Sequence, residues 1–195
     1  MTNKLILSVA AVATLGLAVP AYAQSSGSSD AGVVLSVQGG GLTSVTDLND
    51  AKTAKFKTGF NLGGSLGYDI NDMLSIRGTY TYGRSEKEGT AFVSNFGKNA
   101  NRQYYGAELK LGAPGPVSPY LLVGGGAATV KVDNLNSFTK PAGKGGVGID
   151  FTIPGTNVSV FGEGTGWFYK FDQFGFDKTQ FDLAWSAGVS VRFGK

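Results

Sequence analysis

The sequence predicts an all-β protein in which eight antiparallel strands run up and down to close a single barrel. Three observations carry that prediction. Apolar residues recur at every second position in run after run, with no sustained period of 3.6. The connections between the runs alternate between short and long. The residues between the apolar ones are mostly Gly, Ser and Thr with sparse, sign-balanced charges.

The first segment stands apart from that pattern. Met1 to Lys4 opens with positive charge, Leu5 to Val19 is an apolar run, and Pro20 with Ala21-Tyr22-Ala23 supplies a break and small residues before Gln24. Residues 1–23 therefore read as a secretory signal peptide, too short in its apolar part to span a bilayer comfortably. Residues 24–30 read as a flexible Ser/Gly leader, and 31–195 as one barrel domain.

Taken in order, the first strand is expected at Val33 to Gln38, the weakest of the eight. The second sets Phe60, Leu62, Leu66, Tyr68 and Ile70 against Asn61, Gly63, Ser65 and Asp69, and the third sets Leu74, Ile76, Tyr80 and Tyr82 against Ser75, Arg77, Thr79 and Thr81. The fourth opposes Tyr105, Ala107, Leu109 and Leu111 to Tyr104, Gly106, Glu108 and Lys110. In the fifth, Tyr120 to Val132, the face holding Tyr120 is read as apolar, which leaves Leu121, Val123 and Lys131 on the polar one. The sixth opposes Val147, Ile149, Phe151 and Ile153 to Gly148, Asp150 and Thr152. The seventh, Val158 to Phe168, puts Phe161 with Glu163 on the polar face, and the eighth opposes Phe181, Leu183, Trp185, Val189, Val191 and Phe193 to Asp182, Ser186, Gly188 and Arg192.

Short turns at Asp69 to Met73, Gly112 to Pro119 and Pro154 to Asn157 alternate with long connections near 40–58, 83–103, 133–146 and 169–180. Such lopsidedness belongs to a barrel whose ends face different compartments. Face composition decides which side is inside. The apolar face carries no charge, while the opposite face holds Asp69, Arg77, Glu108, Lys110, Lys131, Asp150, Glu163, Asp182 and Arg192 among Gly, Ser and Thr. A soluble barrel would crowd its outer face with Lys and Glu; sparse, sign-balanced charge fits a narrow bore. The expected fold is therefore an eight-stranded antiparallel up-and-down transmembrane β-barrel. Tyr68, Tyr80, Tyr82, Tyr105, Tyr120, Phe168, Phe181 and Phe193 fall where interfacial girdles belong. A soluble secreted barrel holding a lipophilic ligand is the inverted alternative.

Three stretches resemble a known family. Gly67-Tyr68-Asp69-Ile70-Asn71-Asp72-Met73-Leu74-Ser75-Ile76-Arg77, Ser118-Pro119-Tyr120 leading to Gly124-Gly125-Gly126, and the ending Ala187-Gly188-Val189-Ser190-Val191-Arg192-Phe193 are similar to small porin-family, opacity-type and OmpA/OmpX-like outer-membrane barrels. The resemblance implies the outer membrane of a Gram-negative-type bacterium, contact with lipopolysaccharide, and delivery by the barrel-assembly machinery. Ser186, Gly188, Val191 and Phe193 resemble the assembly signal of such barrels, although Gly194 and Lys195 follow where the family usually stops on the aromatic.

Chemistry is largely excluded. With no Cys and no His there is no thiolate site, and most zinc, haem and copper sites and triad hydrolases lose an essential group. A net charge of +3 is far from the dense basic stripe that nucleic acid requires. Gly143-Lys144-Gly145-Gly146-Val147-Gly148 matches G-x-G-x-x-G but precedes a strand, so it reads as a loop entering strand six rather than a nucleotide site. No catalytic site, cofactor or metal is expected.

Three features remain as candidates. Arg77, Glu108, Lys110, Asp150, Glu163 and Arg192 form an expected charge network in the lumen, structural if the charges pair and fill the bore, a gate if they exchange. Trp167, Tyr169, Phe171, Phe174 and Phe176 form a candidate surface patch. The loop bases Lys52, Lys55, Lys57, Arg84, Lys87 and Lys98 suit the phosphates of an anionic leaflet. The expected role is non-enzymatic: envelope integrity and adhesion, with loops that meet host, phage or other surface proteins. A narrow channel for water or small solutes is the alternative.

Overall fold

The computed structural model describes residues 31–47, 55–88, 99–132, 137–172 and 178–194. The signal peptide, the leader, Lys52, Lys98, Phe174 and Phe176 lie outside these residues. Every regular element described is a strand: β1 (Gly32–Ser44), β2 (Gly59–Asp69), β3 (Leu74–Glu88), β4 (Asn99–Gly112), β5 (Val117–Val132), β6 (Phe138–Thr152), β7 (Val158–Phe171) and β8 (Lys178–Phe193), with a two-residue strand, Lys55–Phe56, lying against the end of β3. Each strand pairs antiparallel with the next, and β1 pairs with β8 from Val33↔Phe193 to Ser44↔Asp182, so the sheet closes on itself.

Closure settles which face looks inward. Leu35, Leu62, Leu66, Ile76, Leu109, Val123, Val160 and Trp185 are all more than two-fifths exposed, while Ser36, Asn61, Ser65, Arg77, Glu108, Glu163 and Asp182 are buried. The apolar side chains thus face outward and the polar ones line the bore, as lipid on the outside demands. The strands run from 11 to 16 residues, and about 9–11 tilted residues already cross a bilayer, so the wall stands proud of the membrane on the long-loop side.

At the other end the turns are tight. The Asn71 side-chain oxygen accepts from the backbone N–H groups of Met73 and Leu74, both at 2.9 Å, which stands in for backbone partners in the β2–β3 turn. Gly155 turns the β6–β7 corner at φ 75°, a conformation that side chains with a Cβ rarely adopt.

The strands differ from the expected ones in three respects. β1 continues through Gly39-Gly40-Gly41, and β6 begins at Phe138, so the glycine-rich 143–148 stretch is strand rather than entering loop. Glycine here serves close approach: a Cβ on Gly40 would strike the backbone of Trp185, and one on Gly41 its indole. The described parts of the expected 83–103 loop are strand, since β3 and β4 stay paired as far as Glu86↔Asn99. In β5 the expected faces are exchanged. Tyr120 and Leu122 are buried in the bore, whereas Val123 and Lys131 are exposed on the wall. Apolar residues occupy both faces of β5, and Lys131, expected inside, lies at the strand's outer end, where an outward charge meets no hydrocarbon.

Leu109 sits among Ile76 and Val123 on the lipid-facing wall, in register with both. Leu109→Arg should destabilise the barrel in vesicles by about 2–4 kcal/mol, as a charge enters hydrocarbon. Ser65→Ala, which removes a single 2.6 Å hydroxyl contact with Ser36, should cost about 1 kcal/mol. Urea titrations of vesicle-reconstituted protein check both, and equal losses would contradict the orientation.

Candidate functional site: a bore closed in layers

The bore is filled by three tiers. The lowest opens at the short-turn end as a cavity of about 380 Å³ whose lining includes Asp69, Ser75, Arg77, Lys110, Asp150 and Arg192. Its charges are paired between strands that have one strand between them. Arg192 lies 2.6 Å from Asp69, Lys110 contacts Asp150, and Ser75 donates to the other Asp69 oxygen. The Lys110 ammonium also sits 4.3 Å from the centre of the Tyr120 ring.

The middle tier is a four-charge cluster. Arg77 of β3 lies 2.6 Å from Glu108 of β4 and 3.8 Å from Glu163 of β7, and Lys144 of β6 contacts the second Glu108 oxygen. The Tyr120 hydroxyl donates to Glu163 at 3.1 Å, which explains why β5 turns this tyrosine inward. Two guanidinium or ammonium groups face two carboxylates, so the tier carries no net charge. Such balance is required where desolvation of an unpaired ion would cost several kcal/mol.

The upper tier is the most enclosed. Arg102 of β4 and Asp182 of β8 are both fully buried and lie 2.7 Å apart. Asp182 accepts from Ser44 and from the hydroxyls of Tyr104 and Tyr169, while Arg102 donates to Ser44 and Ser85. Around this pair the rings interlock. Tyr104 stacks on Trp167 with centroids 4.9 Å apart, Phe138 meets Phe171 edge-on at 5.0 Å, and the Arg102 guanidinium lies 4.7 Å from the Phe56 ring centre. Leu42, Ala100, Ala128, Val130 and Ala184 fill the remaining space.

All six residues of the expected lumen network point into the bore, yet they do not make one network. Arg77, Glu108 and Glu163 belong to the middle tier; Lys110, Asp150 and Arg192 line the cavity below. Sequence reasoning missed Arg102 and Lys144 because both fell in segments read as loops. The signal was present: Arg102 shares the parity of Tyr104 and Glu108, and Lys144 that of Asp150. The candidate surface patch is corrected. Trp167, Tyr169 and Phe171 are 1%, 3% and 2% exposed and belong to the upper tier, because the inward parity of Phe161 and Glu163 continues up β7. Of the assembly-signal positions, Ser186 donates to Asn61 at 2.9 Å inside the bore, and Phe193 lies half-exposed on the wall. Gly188 leaves room for the Phe161 ring crossing from β7.

A closed antiparallel barrel with a lipid-compatible exterior and a polar, plugged interior has counterparts. The family model of the outer membrane protein beta-barrel domain matches residues 9–195. This chain belongs to that family. The barrel is accordingly a protein of the bacterial outer membrane. Neisserial surface protein A is similar in fold, at 18% identity over 86% of this chain and 99% of that one, with a TM-score of 0.57. Ail, the attachment invasion locus protein of Yersinia pestis, aligns at 18% identity over 84% and 97% with a TM-score of 0.47, and OprG of Pseudomonas aeruginosa at 17% over 84% and 97%, also 0.47. No curated protein sequence matches.

Asp182→Ala leaves Arg102 buried without its counter-charge and should destabilise the barrel by about 3–5 kcal/mol. Replacing both residues with Leu and Met should recover much of that loss. Asp69→Ala, whose partner Arg192 is two-fifths exposed, should cost far less. Denaturant unfolding followed by tryptophan fluorescence reads all three, since Trp167 stacks beside the pair.

Proposed function

We propose that this barrel is a non-enzymatic, non-conducting component of the outer membrane whose wall supports envelope integrity and whose outer rim and loops make surface contacts. The observation that carries the reading is the upper tier: a fully buried Arg102–Asp182 pair, with Trp167, Tyr169, Phe171 and Phe56 packed around it, fills the bore of the eight-stranded barrel among the described residues. Its rim contacts would be lipopolysaccharide and surface proteins of host, phage or neighbouring cells. Arrival by a cleaved signal peptide and the barrel-assembly machinery, with Ser186, Gly188, Val191 and Phe193 as the recognised strand end, is part of the same proposal.

A second reading, a narrow solute channel, draws on the 380 Å³ cavity that opens to the short-turn side and reaches Arg77. The two closures lie in series, which separates the readings. In planar bilayers the wild-type protein should show no steady conductance. Arg77→Ala alone should leave it closed, as should the upper-tier triple variant Arg102→Ala, Asp182→Ala and Trp167→Ala; all four changes together should open a path. A large, steady wild-type conductance would overturn the non-conducting reading, and adhesion of cells displaying the barrel, lost on loop exchange, tests the surface role.

A further inference from the structure

The charges around the cavity at the short-turn end alternate in sign. Arg192 comes from β8, Asp69 from β2, Lys110 from β4 and Asp150 from β6, so cation and carboxylate follow one another on every second strand. Each ion pair spans one strand, Arg192 with Asp69 over β1 and Lys110 with Asp150 over β5. Two gaps are left between the pairs, one over β3 and one over β7.

The β3 gap carries the richer chemistry. Strand register sets Asp69 beside Ser75 and Ser75 beside Lys110, so the carboxylate and the ammonium start two strands apart, ~10 Å at the backbone. Arg77 follows Ser75 by two residues on β3, on the same inward face and ~7 Å deeper. A Cβ on Gly67, which lies opposite Arg77 on β2, would come within 2.7 Å of the Arg77 Cγ, so this glycine gives the arginine room to lean across β2. Asp69, Lys110 and Arg77 thus mark the corners of a triangle, with the Ser75 hydroxyl on one side.

These groups have binding capacity to spare. Arg77 is buried and makes both of its ion pairs through Nη2, and its Nε has no hydrogen-bond partner among the described residues. Lys110 and Asp150 keep 19% and 15% of their side-chain surface, and Arg192 keeps 40%, so the pairs at this end remain in reach of a solute. The cavity of about 380 Å³ in front of them has room for a molecule the size of an amino acid. A simple anion held by Lys110 would lie against Asp69, and a simple cation held by Asp69 would lie against Lys110 and Arg77. Only a solute carrying both charges meets all three groups with the right sign.

From this arrangement we infer that the β3 side of the cavity binds a small α-amino acid as its zwitterion, admitted from the short-turn, periplasmic end. Its carboxylate lies between Lys110 and Arg77, its ammonium against Asp69, and its side chain in the open space toward Phe161. Binding requires no path through the bore and goes beyond the reading of a closed barrel with surface contacts.

The test uses the purified barrel in phosphatidylcholine nanodiscs and three probes with one skeleton: alanine, alanine methyl ester, which is only a cation, and N-acetylalanine, which is only an anion. Saturation-transfer NMR titrations at pH 7 rank them, with empty nanodiscs as the blank. Wild-type protein should bind alanine about tenfold more tightly than either relative. Asp69→Asn should weaken alanine about tenfold and bring it level with N-acetylalanine; Lys110→Gln should weaken it similarly and bring it level with the methyl ester. Lys131→Gln, on the outer wall, should change nothing. Equal binding of the three probes by the wild type, an unchanged ranking in both cavity variants, or an equal loss in Lys131→Gln overturns the inference. Cold-versus-boiled gel mobility verifies that the variants are folded, and the wild-type ranking of the three probes stands whether or not they are.

Discussion

In hydrocarbon a backbone N–H or C=O has no water to turn to, and each unpaired group costs several kcal/mol. The β1–β8 ladder from Val33↔Phe193 to Ser44↔Asp182 meets this constraint by leaving the sheet without an edge. Everything else follows from that closure. Once the wall is continuous, each strand has one face on lipid and one on a bore narrow enough for side chains from opposite walls to meet. The period of two then becomes a division between two solvents.

A narrow bore must be filled, and filling it with charge works only tier by tier. Arg192 with Asp69 and Lys110 with Asp150 stand at the open cavity, where water shares their solvation. Deeper in, Arg77, Lys144, Glu108 and Glu163 balance one another, and the fully enclosed Arg102–Asp182 pair draws on four hydroxyls besides its own attraction. The hydroxyl support grows as water is withdrawn, as the rising cost of desolvation requires. Aromatic rings complete the upper tier because they fill volume while Tyr104 and Tyr169 still bring a donor to the buried carboxylate.

The two ends of the barrel consequently differ in kind. The short-turn end is an open polar cup, and the long-loop end is a packed core standing above the membrane, with Phe171 in contact with Phe56 and Phe138. The outer wall differs around its circumference as well, carrying cations and amides over β3–β5 and stacked rings over β7–β8. The bore, meanwhile, is occupied by its own support.

The sequence by itself determined the strand count, the closure into a barrel and the orientation of seven strands, because a lipid-facing position tolerates no charge and that prohibition is written residue by residue in β2, β3, β4 and β8. It also marked Arg77, Glu108, Lys110, Asp150, Glu163 and Arg192 as interior. What it left open is where the prohibition stops acting. Above the bilayer both faces of a strand may be polar or apolar, so the glycine-rich starts of β6 and the far ends of β1, β3 and β4 read as loops, and with them Arg102 and Lys144 disappeared from view. In β5, apolar on both faces, the sequence put Tyr120 outward, and the structure reverses the two faces: Tyr120 is buried in the bore, where its hydroxyl reaches Glu163. The pairing of the charges, too, belongs to the tertiary structure: partners such as Arg102 and Asp182 come from strands distant in the chain and meet only because a closed wall holds them across a bore a few side chains wide.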